Sequence, residues 1–308
     1  MKLAKTFLII IILIVIYIIF LFFSDVEKTI QTLVSIDMRY LIGGIGLWLI
    51  SGFLRVIRWH FFLKGITTKI PFIRSSLYFL SGFAFLLSPA RVGEILRSPL
   101  IKRDYNIPIS KTAPIVLVER FYDLFGVTII IVIGLFFTKI DKSVVLIPLG
   151  IIVLILLLIK NKNTISKIFK KLSKIKMLNK IIPNPDESFE VTYMLLRPKY
   201  FTVGICASLG SALLEVAGAY MFILGLSGEI NFQDLIVLYH SVNFAAAASM
   251  IPAGIGIFEG GLVGLLVLYK MEYEIAFAVT VLIRIVSTGL FTVIGLIALR
   301  LVSKDSDN

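Results

Sequence analysis

The lengths of the apolar runs constrain this chain before anything else does. Crossing a hydrocarbon core of about 30 Å takes roughly 20 consecutive apolar residues in a helix, and six windows reach or approach that length: 6–23, 41–63, 116–137, 144–159, 200–226 and 276–302. The fourth is short and borrows flanking residues. Two further windows, 75–88 and 235–251, are shorter, and each runs into a proline-glycine break, at Pro89 and at Pro252. A short apolar segment ended by a break reads as a re-entrant hairpin. The expectation is an all-α integral membrane protein forming one polytopic domain, with about six spanning helices and two re-entrant helical hairpins. Residues 1–74 would form an N-terminal helix pair, 75–159 a first repeat with its following helix, 160–199 a basic cytoplasmic loop and 200–308 a second repeat.

Lys2 and Lys5 precede the first run, a pattern shared with signal peptides. The run from Phe7 to Phe23 is long for a cleaved segment, and Ser24-Asp-Val-Glu27 offers no small-x-small cleavage site, so a retained helix is expected. Orientation follows the lysines and arginines of the short loops. Arg55, Arg58, Lys64, Lys69 and Arg74 at and after the end of the second window, and Arg91, Arg97, Lys102, Arg103 and Lys111 after the first hairpin, read as cytoplasmic. The stretch from Lys160 to Lys180, with eight lysines and no acid, falls on the same side. Asp25, Glu27, Asp37, Glu229 and Asp234 mark the outside. Both termini are then cytoplasmic, and a cell-membrane location is expected. The net charge of +12 is explained by topology and anionic headgroups, so no nucleic-acid partner is expected. Lys160–Lys199 reads as a solvated, lipid-hugging loop, with docking of a partner as the competing reading.

Around the two breaks the chain nearly repeats itself. Pro89-Ala-Arg-Val-Gly93 answers to Pro252-Ala-Gly-Ile-Gly256, and each follows a Phe-Ala pair, Phe83-Ala84 and Phe244-Ala245. Each precedes a helix that opens with Val-Leu and an arginine, Val116 to Arg120 and Val281 to Arg284. Each of those helices carries Val-Ile-Gly-Leu, 43 residues after Pro89 at Val132 and 41 after Pro252 at Val293. With the orientation above, the halves are inverted. Inverted repeats with broken helices are how many secondary transporters build a central site, because the broken ends present backbone donors and acceptors to a substrate.

Several charges lie where lipid would make them expensive. Glu119 and Asp123 share a helix face with Arg120 beside them, and the three-residue spacing of Arg91, Glu94 and Arg97 stacks them for a common polar cluster; ordinary interfacial placement is the competing reading. Glu215 lies mid-window and must face a partner or water, and Arg284 offers a counter-ion within the membrane. Glu259 follows the second break much as Glu94 follows the first. His240 and Asn243 on the second hairpin are candidates for a polar cavity lining, although a lone histidine there is more often structural. His60 and His240 are the only histidines and Cys206 the only cysteine, which excludes a multi-histidine centre, a disulfide and a cysteine-rich site. No nucleophile elbow, Walker loop or dinucleotide fingerprint is present, so neither an enzyme nor a cofactor is expected.

Four stretches, Arg55-Val-Ile-Arg-Trp59, Ser88-Pro-Ala-Arg-Val-Gly-Glu-Ile-Leu-Arg97, Glu119-Arg-Phe-Tyr-Asp123 and Pro252-Ala-Gly-Ile-Gly-Ile-Phe-Glu259, resemble in order and spacing the lysylphosphatidylglycerol synthase membrane region. In members that pair this unit with a soluble aminoacyl-transferase, the transferase modifies phosphatidylglycerol; with Asn308 a few residues past the last apolar run, no such domain is expected here. The resemblance implies the flippase-like half, with membrane lipids as partners. Arg91, Arg97, Arg120 and Arg284 would then suit a lipid phosphate, of an anionic phospholipid or a polyprenyl phosphate, by charge-assisted hydrogen bonds. Glu94, Glu119, Asp123 and Glu259 would hold those arginines or meet a cationic headgroup, with Glu215 and Asn243 completing the set. Two other readings stand beside this one: an accessory subunit docking a separately encoded glycosyl- or aminoacyl-transferase, and an integral enzyme acting on lipid phosphates.

Overall fold

The computed structural model describes residues 26–86, 88–138, 184–249 and 251–304, apart from the side chains of residues 26 and 89–92, together with Leu146, Leu149, Gly150 and Val153. The expected windows 6–23 and 144–159, and most of the basic loop, lie outside the described residues. Every regular element among those described is helical.

After a short helix α1 (Val26–Val34), Asp37 starts the first long one. Its extended backbone lets the carboxylate accept from the Arg39 amide at 2.9 Å, and hydrogen bonds from Arg39 hold that carboxyl below its ordinary range. Apolar residues then carry α2 (Met38–Ile66) for 29 residues. A second long helix, α7 (Pro198–Gly225), packs along it, with proline at its first turn, where a missing N–H costs nothing. These two helices, and the run Tyr273–Lys304 described below, are long and apolar enough to cross a membrane.

The first hairpin window becomes α3 (Phe72–Ser81), which tightens into a 3-10 turn at Gly82–Phe85. Past the break the chain resumes as a 3-10 segment, Pro89–Leu96, and then as α4 (Arg97–Tyr105). The second window becomes α8 (Phe232–Ala248), a 3-10 turn at Pro252–Gly254 and α9 (Ile257–Leu268), and α9 packs back against α8. The two breaks touch each other.

The helix after the first break, α5 (Ile109–Phe136), starts seven residues before the expected window. Hydropathy stops that window at the polar residues and Pro114, but the helix passes through the proline. Pro114 has no N–H for the Ser110 carbonyl one turn back. The Ser188 hydroxyl donates to that carbonyl instead, at 3.1 Å. Ser188 belongs to α6 (Pro185–Leu195), which Asn184 caps by accepting from the Glu187 amide at 3.2 Å. The described end of the basic segment is therefore not a solvated loop but a helix packed on α5, and Tyr122 fixes its far end by donating to the Leu195 carbonyl at 2.7 Å. The final run is α10 (Tyr273–Arg284), a π-helical segment (Ile285–Leu290) and α11 (Phe291–Lys304).

The helices after the breaks are exchanged between the halves: α5 lies along α8, while α11 lies along α3 and its 3-10 continuation. The glycines of the repeated Val-Ile-Gly-Leu sit in these contacts. A Cβ on Gly134 would lie 2.8 Å from the Val237 side chain, and one on Gly295 2.2 Å from the Ala84 backbone nitrogen. Only a residue without a side chain allows either approach.

Candidate functional site

The charged residues of α2, α5 and the first break meet inside this frame. On α2, Arg55 and Arg58 are three residues apart and project from one face; Glu94 and Arg97 do the same across the junction into α4. On α5, Glu119 and Asp123 are one turn apart. Arg58 approaches Asp123 at 2.6 Å and Glu119 at 3.6 Å; Glu119 accepts from Arg97 at 3.0 Å; Arg97 donates to Glu94 at 2.8 Å. Glu94 also accepts from Arg120 at 3.0 Å, and Arg120 returns to Asp123 at 3.4 Å. The six side chains thus form a closed ring of alternating charge, Arg58–Glu119–Arg97–Glu94–Arg120–Asp123.

The ring answers a solvation problem. A guanidinium or carboxylate buried alone costs several kcal/mol, and a pair repays this only when its remaining polar atoms also find partners. Here each charge has an opposite charge on both sides. Arg58, Glu94, Arg97 and Glu119 have wholly buried side chains, whereas Arg120 and Asp123 are 32% and 18% exposed. The ring therefore has a dry edge and an accessible one. On the dry edge Arg97 lies over the rings of Phe79 and Trp59, at 4.4 and 5.1 Å. Ser208 on α7 joins the ring by donating to Asp123 at 3.2 Å and accepting from Arg58 at 2.5 Å.

Beside the accessible edge stands a seventh and eighth charge. Glu215, mid-helix in α7, accepts from Arg55 in a short bond and from the Ser51 hydroxyl at 3.1 Å. Arg55 faces it across the closely packed seam between α2 and α7, while Arg284 is the counter-ion of a different carboxylate. Arg284 donates to Glu259 at 2.7 Å, and the other oxygen of Glu259 accepts from the Gly256 amide at 2.7 Å. Arg284 also reaches the Gly254 carbonyl at 3.4 Å and lies 4.3 Å over the Phe258 ring. The chain thus repeats one theme. At each break a glutamate shortly after the proline is bound by an arginine from the following helix, Glu94 by Arg120 and Glu259 by Arg284.

Eight of the ten residues singled out from the sequence fall into these two groups. The side chain of Arg91 lies outside the described residues. Asn243 joins neither group, donating instead to the Tyr239 carbonyl one turn back at 3.0 Å. His240 is buried beside Tyr239. Arg55, Arg58, Ser51 and Ser208 are the residues that sequence reasoning missed. The two arginines read as topology markers at a helix end, yet α2 continues to Ile66 and both lie within it. The apolar run that resumes after Arg58 and lasts to Leu63 is the signal that could have placed them inside.

The comparisons with known proteins agree with this architecture. The chain is 28% identical to the UPF0104 membrane protein PH1989 of Pyrococcus horikoshii, over 94% of this chain and 95% of the relative. It is 24% identical to the UPF0104 membrane protein MJ1078 of Methanocaldococcus jannaschii, over 71% and 94%, and 22% identical to MJ1595 of the same organism, over 100% and 98%. Residues 8–295 match the model of the lysylphosphatidylglycerol synthase TM region. A match over that much of the chain, on a helical frame that joins the first three of the quoted motifs at one charged ring, makes this protein a member of the lysylphosphatidylglycerol synthase transmembrane region family.

Proposed function

We propose that the chain is a flippase-like protein that carries a phosphate-bearing lipid between bilayer leaflets rather than modifying it. In this reading six helices cross the cell membrane, the two broken segments re-enter it from opposite faces, and both termini are cytoplasmic. The observation that carries the reading is the accessible edge of the ring, where Arg120 of α5 binds Glu94 of the first break. Arg120 there divides its guanidinium between Glu94 and Asp123 and keeps a third of its side-chain surface open. A lipid phosphate offers an anionic partner with two oxygens that a guanidinium can bind side by side in place of a carboxylate. The exchanged packing of α5 and α11 supports it too, because each half is seated on the other along these seams, and rocking of one half against the other is the expected motion.

The test is translocation in proteoliposomes with headgroup-labelled phospholipids and polyprenyl-phosphate lipids. Protein-dependent translocation of one class is expected, with a loss of tenfold or more in Arg120→Ala. Equal translocation by the parent and Arg120→Ala would sink the assignment, and no translocation of any class by folded parent would sink the flippase reading.

A further inference from the structure

Resting on that reading, we infer that the second break is a second station for the lipid phosphate, with Arg284 as the residue that binds it and Glu259 as the carboxylate with which the phosphate competes. Arg284 ends α10, where the regular helix gives way to the π-helical segment. Its guanidinium is held on three sides. The Phe258 ring lies 4.3 Å from its central carbon, Glu259 accepts from Nε at 2.7 Å, and the Gly254 carbonyl accepts from Nη2 at 3.4 Å. Nη1 has no acceptor among the described residues, and the side chain is 13% exposed, which leaves that edge open. A guanidinium whose plane and Nε are fixed while Nη1 stays open is preorganised for an anion with two oxygens.

Arg284 also differs from Arg120 in what a phosphate must displace. Arg120 meets two carboxylates, Glu94 and Asp123, and belongs to the closed ring, whereas Arg284 meets Glu259 alone. An anion arriving at Arg284 finds an unbonded nitrogen first, so capture there disturbs the fewest existing bonds. The two stations are neighbours as well. The breaks touch each other, and buried Tyr239 of α8 lies within electrostatic reach of Arg284 and also of Arg55 and Glu215 beside the ring. The repeat thus places one phosphate-binding arginine at each break, and passage from one to the other is the transfer step.

Glu259 separates this role from a purely structural one. A carboxylate that only holds the break together stabilises it, and neutralising that carboxylate lowers stability with nothing gained. If it also competes with phosphate for Arg284, neutralising it frees the guanidinium and raises affinity. Stability and affinity then move in opposite directions.

The test uses the full-length protein with two phosphodiester probes, dihexanoyl phosphatidylglycerol and dimethyl phosphate. Binding is followed by calorimetry and folding by thermal unfolding. Arg120→Ala is expected to retain binding at Arg284, and adding Arg284→Gln on that background should weaken what is left by about tenfold or more. Glu259→Gln, which keeps Arg284 in place, should tighten binding by about threefold or more while lowering the unfolding temperature. The same pattern with both probes assigns recognition to the phosphate itself, and with the lipid alone to a phosphate that must carry acyl chains; either supports the inference. Binding that disappears in Arg120→Ala and is unchanged in folded Arg284→Gln would overturn it and leave the phosphate reading standing. A Glu259→Gln protein whose affinity falls in step with its stability would overturn it too. Failure of the folded parent to bind either probe would instead overturn the phosphate reading beneath it.

Discussion

The two breaks solve one problem with different materials. At the first, Glu94 is wholly buried and is bound by Arg97 and Arg120, so the broken segment is held by side chains that belong to a six-membered ring. At the second, Glu259 is bound by Arg284 and by the Gly256 amide, and the backbone itself is bent: Ala253, Gly254 and Gly256 all have positive φ, at 52°, 64° and 85°. The first break is therefore held by paired charges, the second by a backbone shape. The repeat supplied a glutamate and an arginine at each break, and only the first copy recruited α2 to make a ring.

The largest effect should follow from breaking the ring on its dry edge. Arg97→Met leaves Glu94 and Glu119 buried and short of a partner, at an expected cost of about 3–5 kcal/mol in detergent stability measured by denaturant or thermal unfolding. Arg284→Met should cost less, about 1.5–3 kcal/mol, because Glu259 retains the Gly256 amide. Equal losses from the two would abolish the distinction between a ring and an isolated pair. Backbone effects come next. A Cβ on Gly256 meets no atom within 4 Å, so Gly256→Ala isolates the strain of its positive φ, expected at about 1–2 kcal/mol. The reverse exchange, Ala253→Gly, should stabilise by up to about 1 kcal/mol, relief of a left-handed alanine being partly offset by glycine's chain entropy. If that change destabilises the protein in the same unfolding assay, the second break is not held by its backbone shape.

Most of the helical frame was legible from hydropathy alone: the second, fifth and sixth windows differ from α2, α7 and the run Tyr273–Lys304 by a few residues at each end. The start of α5 was not, because a window sum treats Pro114 as a stop, whereas the compensating donor, Ser188, comes from 74 positions further along. The site was half legible for a related reason. Glu94, Arg97, Glu119, Arg120 and Asp123 sit in dense polar motifs that stand out in apolar sequence. Arg55 and Arg58 carry the signature of a loop-side cluster, and only tertiary packing, through Ser208 and Glu215 on α7, shows that their charges point inward. Pairing of Glu259 with Arg284 was visible only as a similarity between the halves, since 25 residues separate the partners.

The exchange of helices between the halves also sets an order of manufacture. Gly295 and its neighbours on α11 close over Phe83 and Ala84, and Arg103 reaches the Val302 carbonyl at 3.1 Å, so the first arm stays uncovered until residues about 200 positions later have been synthesised. Contacts of such long sequence separation form late and leave unfinished surfaces open in the meantime. Neither half expressed alone is expected to persist, whereas two separately made halves should find and stabilise each other, and a chain truncated before α11 should be an early target of membrane quality control.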